Sequence, residues 1–171
     1  GEQAVFDEVF YATGRIPNLD DLFAEGAAPA MTEGGAIKVD DGFATSVEGL
    51  YALGDVIDRV QLTPVALAEG MWLAAQLYGE HKPEAALDYH NIATAVFSHP
   101  NIGTVGLTEE QALARVPAVR VYKSAFRPMR YTLGDKQERS LIKLIVDDAT
   151  DKVLGLHMAG EDSAEITQGF A

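Results

Sequence analysis

The chain has 171 residues, a formal net charge of -13 at pH 7 and a mean hydropathy near zero. The surplus of negative charge argues against nucleic acid or an anionic membrane as partner, and no apolar stretch reaches the roughly 20 residues of a membrane-spanning helix. The absence of cysteine excludes disulfides, thiolate metal sites and redox-active thiols within the chain. These features are typical of a globular protein, and we expect a cytoplasmic location.

The charge is unevenly distributed along the chain. Residues 1–87 carry 15 acidic and 4 basic side chains, whereas residues 88–171 carry 11 and 9. This shift predicts a domain boundary within the polar stretch 83–91. Residues 5–12 have the pattern of a strand with no turn before it. Residues 162–171 have the apolar spacing of the first turns of a helix. We therefore expect the sequence to be an internal piece of a longer protein.

Four short strands and one helix are predicted in the first half. Apolar runs indicate strands at 5–12, 36–39, 43–45 and 50–53. Residues 64–78 have the spacing of a helix, with Thr63 as its N-cap and Pro64 at its first position. Five residues of this helix share a face that we expect to be largely buried: Val65, Ala68, Trp72, Ala75 and Leu77.

The end of the fourth strand carries the strongest chemical signal. Asp55 would lie at the carboxyl end of a buried strand, where open α/β sheets bind ligands, and its carboxylate can accept hydrogen bonds from hydroxyls. Gly54 permits close approach of a ligand to the backbone, and the nearby helix start offers unpaired N–H groups. Together these groups suit a polyhydroxylated cofactor with a carbonyl-bearing ring. A simple turn cap by Asp55 is the alternative.

The second half predicts an antiparallel sheet with helices. Strands are predicted at 95–97, 102–107, 118–125, 140–146 and 153–158, with a hairpin turn at 148–152. Thr108 and Gln111 have the spacing of a capping box, which opens a helix ending near residues 116–117. This pattern indicates an α+β layer architecture.

Other chemical signals are weak. The four histidines lack metal-ligand spacing, so we expect no metal site, and His157 is predicted to be a hydrogen-bonded core residue. Neither a hydrolase nucleophile motif nor a glycine-rich dinucleotide loop occurs. A basic run is typical of a solvated face, with an anionic substrate or a subunit contact as the alternative; it comprises Arg127, Arg130, Lys136 and Arg139.

Several motifs, in order along the chain, resemble those of the flavin-dependent pyridine nucleotide–disulfide oxidoreductases. In the first half these are ATGR at residues 12–15, TSV at 45–47 and YALGD at 51–55. In the second half, FSHP at 97–100 and IGTVGLTE at 102–109 resemble the dimerisation domain of that family. LTPVA at 62–66, FRPM at 126–129 and GLHM at 155–158 are most similar to the bacterial glutathione reductase branch.

The resemblance implies an α/β segment that completes an FAD-binding domain, followed by an α+β dimerisation domain with an antiparallel sheet and helices. Residues 1–14 would end an NADPH-binding domain, and residues 15–87 would form the central part of the FAD-binding domain. Residues 88–171 would form the dimerisation domain, truncated at its C-terminus. The implied cofactors are FAD and NADPH, and the implied assembly is a homodimer through residues 88–171.

The resemblance also assigns cofactor contacts. Asp55, preceded by Gly54, would hydrogen-bond the ribityl chain of FAD. The backbone at Leu62 and Thr63 would meet the flavin pyrimidine carbonyl, where the helix dipole stabilises negative charge on the reduced flavin. Contacts nearer the nicotinamide are implied for Gly14, Arg15, Gln61 and the backbone of Ala95. No catalytic residue and no metal ligand is expected in this chain, because the cysteine pair and the catalytic histidine of the family would lie elsewhere.

The implied activity is the NADPH-dependent reduction of glutathione disulfide, which maintains reduced glutathione. Met71 departs from this pattern, because glutathione reductases often carry an arginine there that contacts the substrate carboxylate. A dihydrolipoamide dehydrogenase is the alternative enzyme, since it shares the Gly54–Asp55 pair. A third hypothesis treats the chain by itself as a non-catalytic dimerisation module, and we expect residues 1–171 alone to be inactive.

Overall fold

The computed structural model describes residues 4–171, which form two compact units. The first unit ends at Leu87 and the second begins at Asp88. The first three residues of the predicted segment 1–14 lie outside the described residues. Across residues 4–171, every helix is too short or too polar to cross a membrane.

The first unit consists mainly of loops around one helix. Its regular elements, within residues 4–87, are the 3-10 helix Gly54–Ile57 and the α-helix α1, Thr63–Tyr78. The strand predictions for this unit are wrong. Residues 4–13 are exposed and irregular, and the other predicted strands form only two isolated bridges, Met31 to Ile37 and Ala44 to Tyr51.

The physical reason, for the runs at 36–39, 43–45 and 50–53, is that their pairing is too short to form a strand. The chain turns at Gly35 and at Gly49, both with positive φ, so each extended stretch meets its partner at a single residue pair. The side chains nevertheless reach the interior, where Ile37, Phe43, Ala52 and Ile57 form the buried cluster of this unit. In this part of the unit the hydrophobic pattern therefore indicates buried side chains and not a paired strand.

Helix α1 packs onto this cluster. The Trp72 ring meets the Phe43 ring edge-on, with centroids 5.5 Å apart, and the Trp72 indole N–H donates to the carbonyl of Ala85 at 2.9 Å. Of the face that was predicted to be buried, Val65 is buried, whereas Leu77 is exposed. The apolar face of α1 is thus more deeply buried at the start of the helix than at its end.

The start of α1 differs from the prediction by one residue. Leu62, in an extended conformation, is the N-cap, and Thr63 and Pro64 occupy the first two helical positions. The Leu62 carbonyl accepts the N–H groups of Val65 and Ala66, each at 3.0 Å, so the first turn already closes on residue 62. The prediction of Thr63 as the N-cap is therefore wrong.

The second unit contains a five-stranded antiparallel sheet in the order β1-β2-β5-β4-β3. The strands are β1 Thr94–Val96, β2 Ile102–Gly106, β3 Val119–Phe126, β4 Ser140–Asp147 and β5 Val153–Ala159. The predicted α+β architecture with an antiparallel sheet is confirmed. Each of these strands lies within one residue of its predicted bounds.

Short helices accompany the sheet. They are α2 Glu109–Leu113, the 3-10 helix Met129–Tyr131 and α3 Ser163–Gln168. The predicted capping box at the start of α2 is confirmed, because Thr108 and Gln111 exchange side chain to backbone hydrogen bonds. The helix ends earlier than predicted. After Leu113 the backbone tightens, with the Arg115 N–H bonded to the carbonyl of Ala112, and Pro117 cannot continue a helix.

An ion pair ties α2 to the sheet. The ammonium of Lys143 on β4 lies 2.6 Å from a carboxylate oxygen of Glu109. This hydrogen bond, aided by charge attraction, lowers the pKa of Glu109 from its ordinary value. Because the pKa is lower in the folded state, the pair stabilises the fold above the ordinary titration range of a glutamate. That contribution is lost as the pH falls through the lowered pKa.

We predict that Glu109→Gln lowers the midpoint of urea unfolding at neutral pH, and that its difference from wild type shrinks as the pH falls below the ordinary titration range of a glutamate. Once the wild-type carboxyl is protonated in both the folded and the unfolded state, the substitution no longer removes a charge interaction. Urea titrations of both proteins at neutral and acidic pH check this. A difference that stayed constant across the range would contradict the assignment.

Candidate functional site

The candidate site lies in the first unit, where the 3-10 helix Gly54–Ile57 packs against α1. Gly54 is buried and has a φ of 71°, in the left-handed region that glycine adopts without strain. A Cβ added at Gly54 would lie 3.3 Å from the Cβ of Ala66 on α1. Glycine therefore meets two demands here, the backbone conformation and the close approach of the helix. Asp55 follows immediately and is exposed.

Glu69 anchors this turn to α1, and the sequence reasoning missed it. Glu69 is only 1% exposed, and one of its carboxyl oxygens accepts a hydrogen bond from the backbone N–H of Gly54 at 2.6 Å. A signal was available, because Glu69 follows Val65 by four residues and therefore shares the predicted buried face of the helix. A carboxyl group on an apolar face needs a hydrogen-bond partner, and the Gly54 N–H is one.

The first turn of α1 presents one backbone donor. The Leu62 N–H is used, because it donates to the Val60 carbonyl at 2.9 Å, and the Val65 and Ala66 N–H groups are used by Leu62. Pro64 has no N–H. The Thr63 N–H is thus the donor that remains at the positive end of the helix dipole. Of the two backbone positions that the sequence singled out, Thr63 is the one able to donate.

The structure packs together the two elements that carry four of the predicted cofactor-contacting residues: Gly54 and Asp55 on the 3-10 helix, and Leu62 and Thr63 at the start of α1. Gln61 lies in the connecting loop, where its side-chain amide donates to the carboxylate of Asp58 at 2.8 Å. An exposed carboxylate acceptor and a helix N-terminal donor on two packed elements can hold a ligand that carries both hydroxyls and a carbonyl.

The remaining predicted positions are Gly14, Arg15 and Ala95. Gly14, with a φ of 121°, and Arg15 are exposed in an irregular stretch. Ala95 belongs to the second unit, where it pairs with Gly103 between β1 and β2. These three assignments stay predictions.

Side chains of the basic run form hydrogen bonds and ion pairs within the chain. Arg127 donates to the carbonyls of Gly134 and Lys136, at 3.0 and 2.9 Å, and also contacts that of Tyr131. Arg130 pairs with two acidic side chains, Glu161 and Asp162. These contacts favour a structural role over binding of an anionic substrate.

The histidines add no metal site to this description. In the part of the chain that the structure describes, no three histidine, aspartate or glutamate side chains are grouped as metal ligands. His157 is half-buried on β5, and its Nε2 lies 3.0 Å from the carbonyl of Leu107. The prediction of a hydrogen-bonded core histidine is confirmed.

Sequence comparison assigns a family to this fold and site. The family model described as pyridine nucleotide-disulphide oxidoreductase matches residues 1–70. The model of the dimerisation domain of the same family matches residues 92–171. The chain belongs to the pyridine nucleotide-disulphide oxidoreductase family.

Curated relatives place the chain near one branch of that family. It is 48% identical over 171 residues to the chloroplastic/mitochondrial glutathione reductase of Pisum sativum, covering 100% of this chain and 31% of the relative. It is 45% identical to the glutathione reductase of a Nostoc species, covering 99% of this chain and 39% of the relative. For the Burkholderia cepacia glutathione reductase the identity is 44%, covering 100% and 38%. The chain thus spans between about a third and two fifths of their length.

Solved structures agree with this family. The flavoprotein disulfide reductase RclA of Escherichia coli, described as HOCl-induced, superposes with a TM-score of 0.80 at 30% identity, covering 93% of this chain and 36% of that one. Its Cu(II) complex gives 0.77 at 29% identity, with the same coverage.

Proposed function

We propose that this chain supplies the flavin-contacting turn and the dimerisation region of an FAD-dependent enzyme that reduces glutathione disulfide with NADPH. The observation that carries the proposal is the Gly54–Asp55 turn packed on the N-terminus of α1. Its context supports it, because the chain is 44% to 48% identical to three glutathione reductases along its length.

The residues at this turn fit the flavin cofactor. The exposed Asp55 carboxylate can accept hydrogen bonds from the hydroxyls of the ribityl chain. The Thr63 N–H can donate to a pyrimidine carbonyl, and the positive end of α1 favours negative charge at that carbonyl. Bound FAD would supply the hydride and electron chemistry that no side chain of this sequence provides.

Other parts of the chain receive supporting roles in this proposal. We assign residues 1–14 to the end of an NADPH-binding domain and residues 15–87 to the FAD-binding domain, with Gly14, Arg15, Gln61 and Ala95 toward the nicotinamide. Residues 88–171 would join two subunits, consistent with the dimerisation-domain match over 92–171. The chain has no cysteine, so the redox-active pair would come from other sequence. We further propose a cytoplasmic enzyme that maintains reduced glutathione.

The alternative enzyme, a dihydrolipoamide dehydrogenase, is not favoured. The three relatives described above are glutathione reductases. The Gly54–Asp55 pair does not separate the two activities, because the resemblance predicted it for both.

The test is a substrate comparison on the whole protein, expressed from the gene that encodes this chain. NADPH consumption with glutathione disulfide should exceed the rate with either compound omitted, and NAD with dihydrolipoamide should give little turnover. A preference for NAD and dihydrolipoamide would contradict the proposal. The peptide of residues 1–171 alone serves as the control, for which we expect no turnover.

Met71 offers a prediction about substrate affinity. Its side chain is 74% exposed on α1 and cannot form a charge-assisted hydrogen bond to a carboxylate. Met71→Arg should lower the KM for glutathione disulfide by about tenfold with kcat little changed, since a bond to a charged group is worth about 1.5 kcal/mol or more. Steady-state kinetics check this, with Met71→Gln as the uncharged control. An unchanged KM in Met71→Arg would indicate that residue 71 does not contact the substrate.

A further inference from the structure

The two proposed flavin contacts lie on different elements that must keep a fixed spacing. Asp55 belongs to the 3-10 helix Gly54–Ile57, and Thr63 begins α1. One cofactor molecule can engage both groups in a productive geometry only if the elements keep their spacing within about half an ångström. The loop between them, residues 58–62, is largely exposed.

A buried hydrogen bond joins the two elements directly. Glu69, on the second turn of α1, accepts the N–H of Gly54, the residue immediately before Asp55. Gly54 and Glu69 are both buried, so water cannot readily replace either partner. Retaining a carboxyl group in such a place costs desolvation free energy, which an apolar residue would avoid. A role in packing alone does not explain why this position is a glutamate.

We infer that Glu69 is a positioning residue that holds the Gly54–Asp55 turn in register with the N-terminus of α1. The inference rests on the proposed flavin function. Glu69 acts through the backbone of Gly54, so Asp55 and the Thr63 N–H face one ligand together. In this role Glu69 contributes the acceptor oxygen that the Gly54 N–H reaches, and an amide oxygen can accept the same hydrogen bond.

Three variants of the whole protein test this role. Glu69→Ala removes the acceptor and leaves the Gly54 N–H buried without it, whereas Glu69→Gln keeps an oxygen at the same distance along the side chain. Ile145→Val is the control, because Ile145 is fully buried on β4 in the second unit and is not part of the cluster that supports the turn. The measurements are the Kd for FAD, by titration of the apoprotein, and the Tm of each apoprotein.

We expect Glu69→Ala to raise the Kd for FAD by about tenfold or more and Glu69→Gln by no more than about threefold. Ile145→Val should lower the Tm and leave the Kd near the wild-type value, which separates positioning from general loss of stability. A wild-type Kd in Glu69→Ala would overturn the inference. So would an equal loss in Glu69→Gln or in Ile145→Val. If the wild-type protein bound no FAD, the proposed flavin function itself would be wrong. That outcome differs from a failure of the Glu69 inference, in which wild type binds FAD and Glu69→Ala binds it equally well.

Discussion

Replacing Asp55 with alanine should weaken FAD binding to the whole protein by about 10- to 100-fold. Asp55 is exposed on the 3-10 helix that packs against α1, and its carboxylate is the acceptor that we assign to the ribityl hydroxyls. A hydrogen bond to a charged acceptor contributes about 1.5 to 3 kcal/mol, which gives this range. Asp55→Asn should weaken binding less, because the amide keeps one neutral acceptor oxygen.

Asp58 provides a matched control for this prediction. It is an exposed carboxylate at the C-terminal end of the same 3-10 helix, and it accepts a hydrogen bond from Gln61. Its φ of 53° lies in the left-handed region, which asparagine tolerates, so Asp58→Asn should preserve the backbone. FAD titrations of the three variants check the assignment. Equal losses in Asp55→Ala and Asp58→Asn would indicate a general effect of negative charge, and no loss in Asp55→Ala would remove Asp55 from the site.

Gly155→Ala should destabilise the second unit by about 3 kcal/mol or more. Gly155 lies inside β5, where it pairs with Gly106 on β2 and with Ile145 on β4. An added Cβ would stand 2.1 Å from the carbonyl oxygen of Leu107, and a backbone atom in this position cannot move without breaking sheet pairing. We expect a lower midpoint of urea unfolding and a loss of dimer in sedimentation, because the altered sheet belongs to the proposed interface region.

The control for this substitution is Gly134→Ala. Gly134 lies in the second unit, and a Cβ added there meets no atom within 4 Å. Its unfolding midpoint should stay near that of wild type. If Gly155→Ala were equally well tolerated, the close contact between β5 and Leu107 would be absent from the protein in solution.

The two halves of the chain differed in how well their fold could be predicted. In the second unit, each strand has a neighbour to pair with along most of its length, as between β3 and β4. Apolar alternation and turn residues therefore coincide with real strands. In the first unit, the run ending at Leu53 pairs only through Tyr51, so the same apolar signal marked burial and produced a false strand.

For the candidate site, the sequence suggested which residues to consider but not how they are held. Asp55 was singled out at the end of a strand that the structure does not form, whereas the helix start near Thr63 follows from the local preference of proline for the first helical turn. The burial of Glu69 could have been expected from its spacing to Val65, but its partner could not, because Gly54 is 15 residues away and meets Glu69 only through the packing of α1 on the 3-10 helix. Local preferences carry no information about which buried N–H a distant carboxyl group will reach.

A crystal structure of the whole protein with FAD bound tests the central claim most directly. It should place a carboxylate oxygen of Asp55 within about 3.0 Å of a ribityl hydroxyl, and the Thr63 nitrogen within about 3.2 Å of a flavin pyrimidine carbonyl. A structure in which FAD binds elsewhere, with Asp55 facing solvent and the start of α1 away from the flavin ring, would contradict the account.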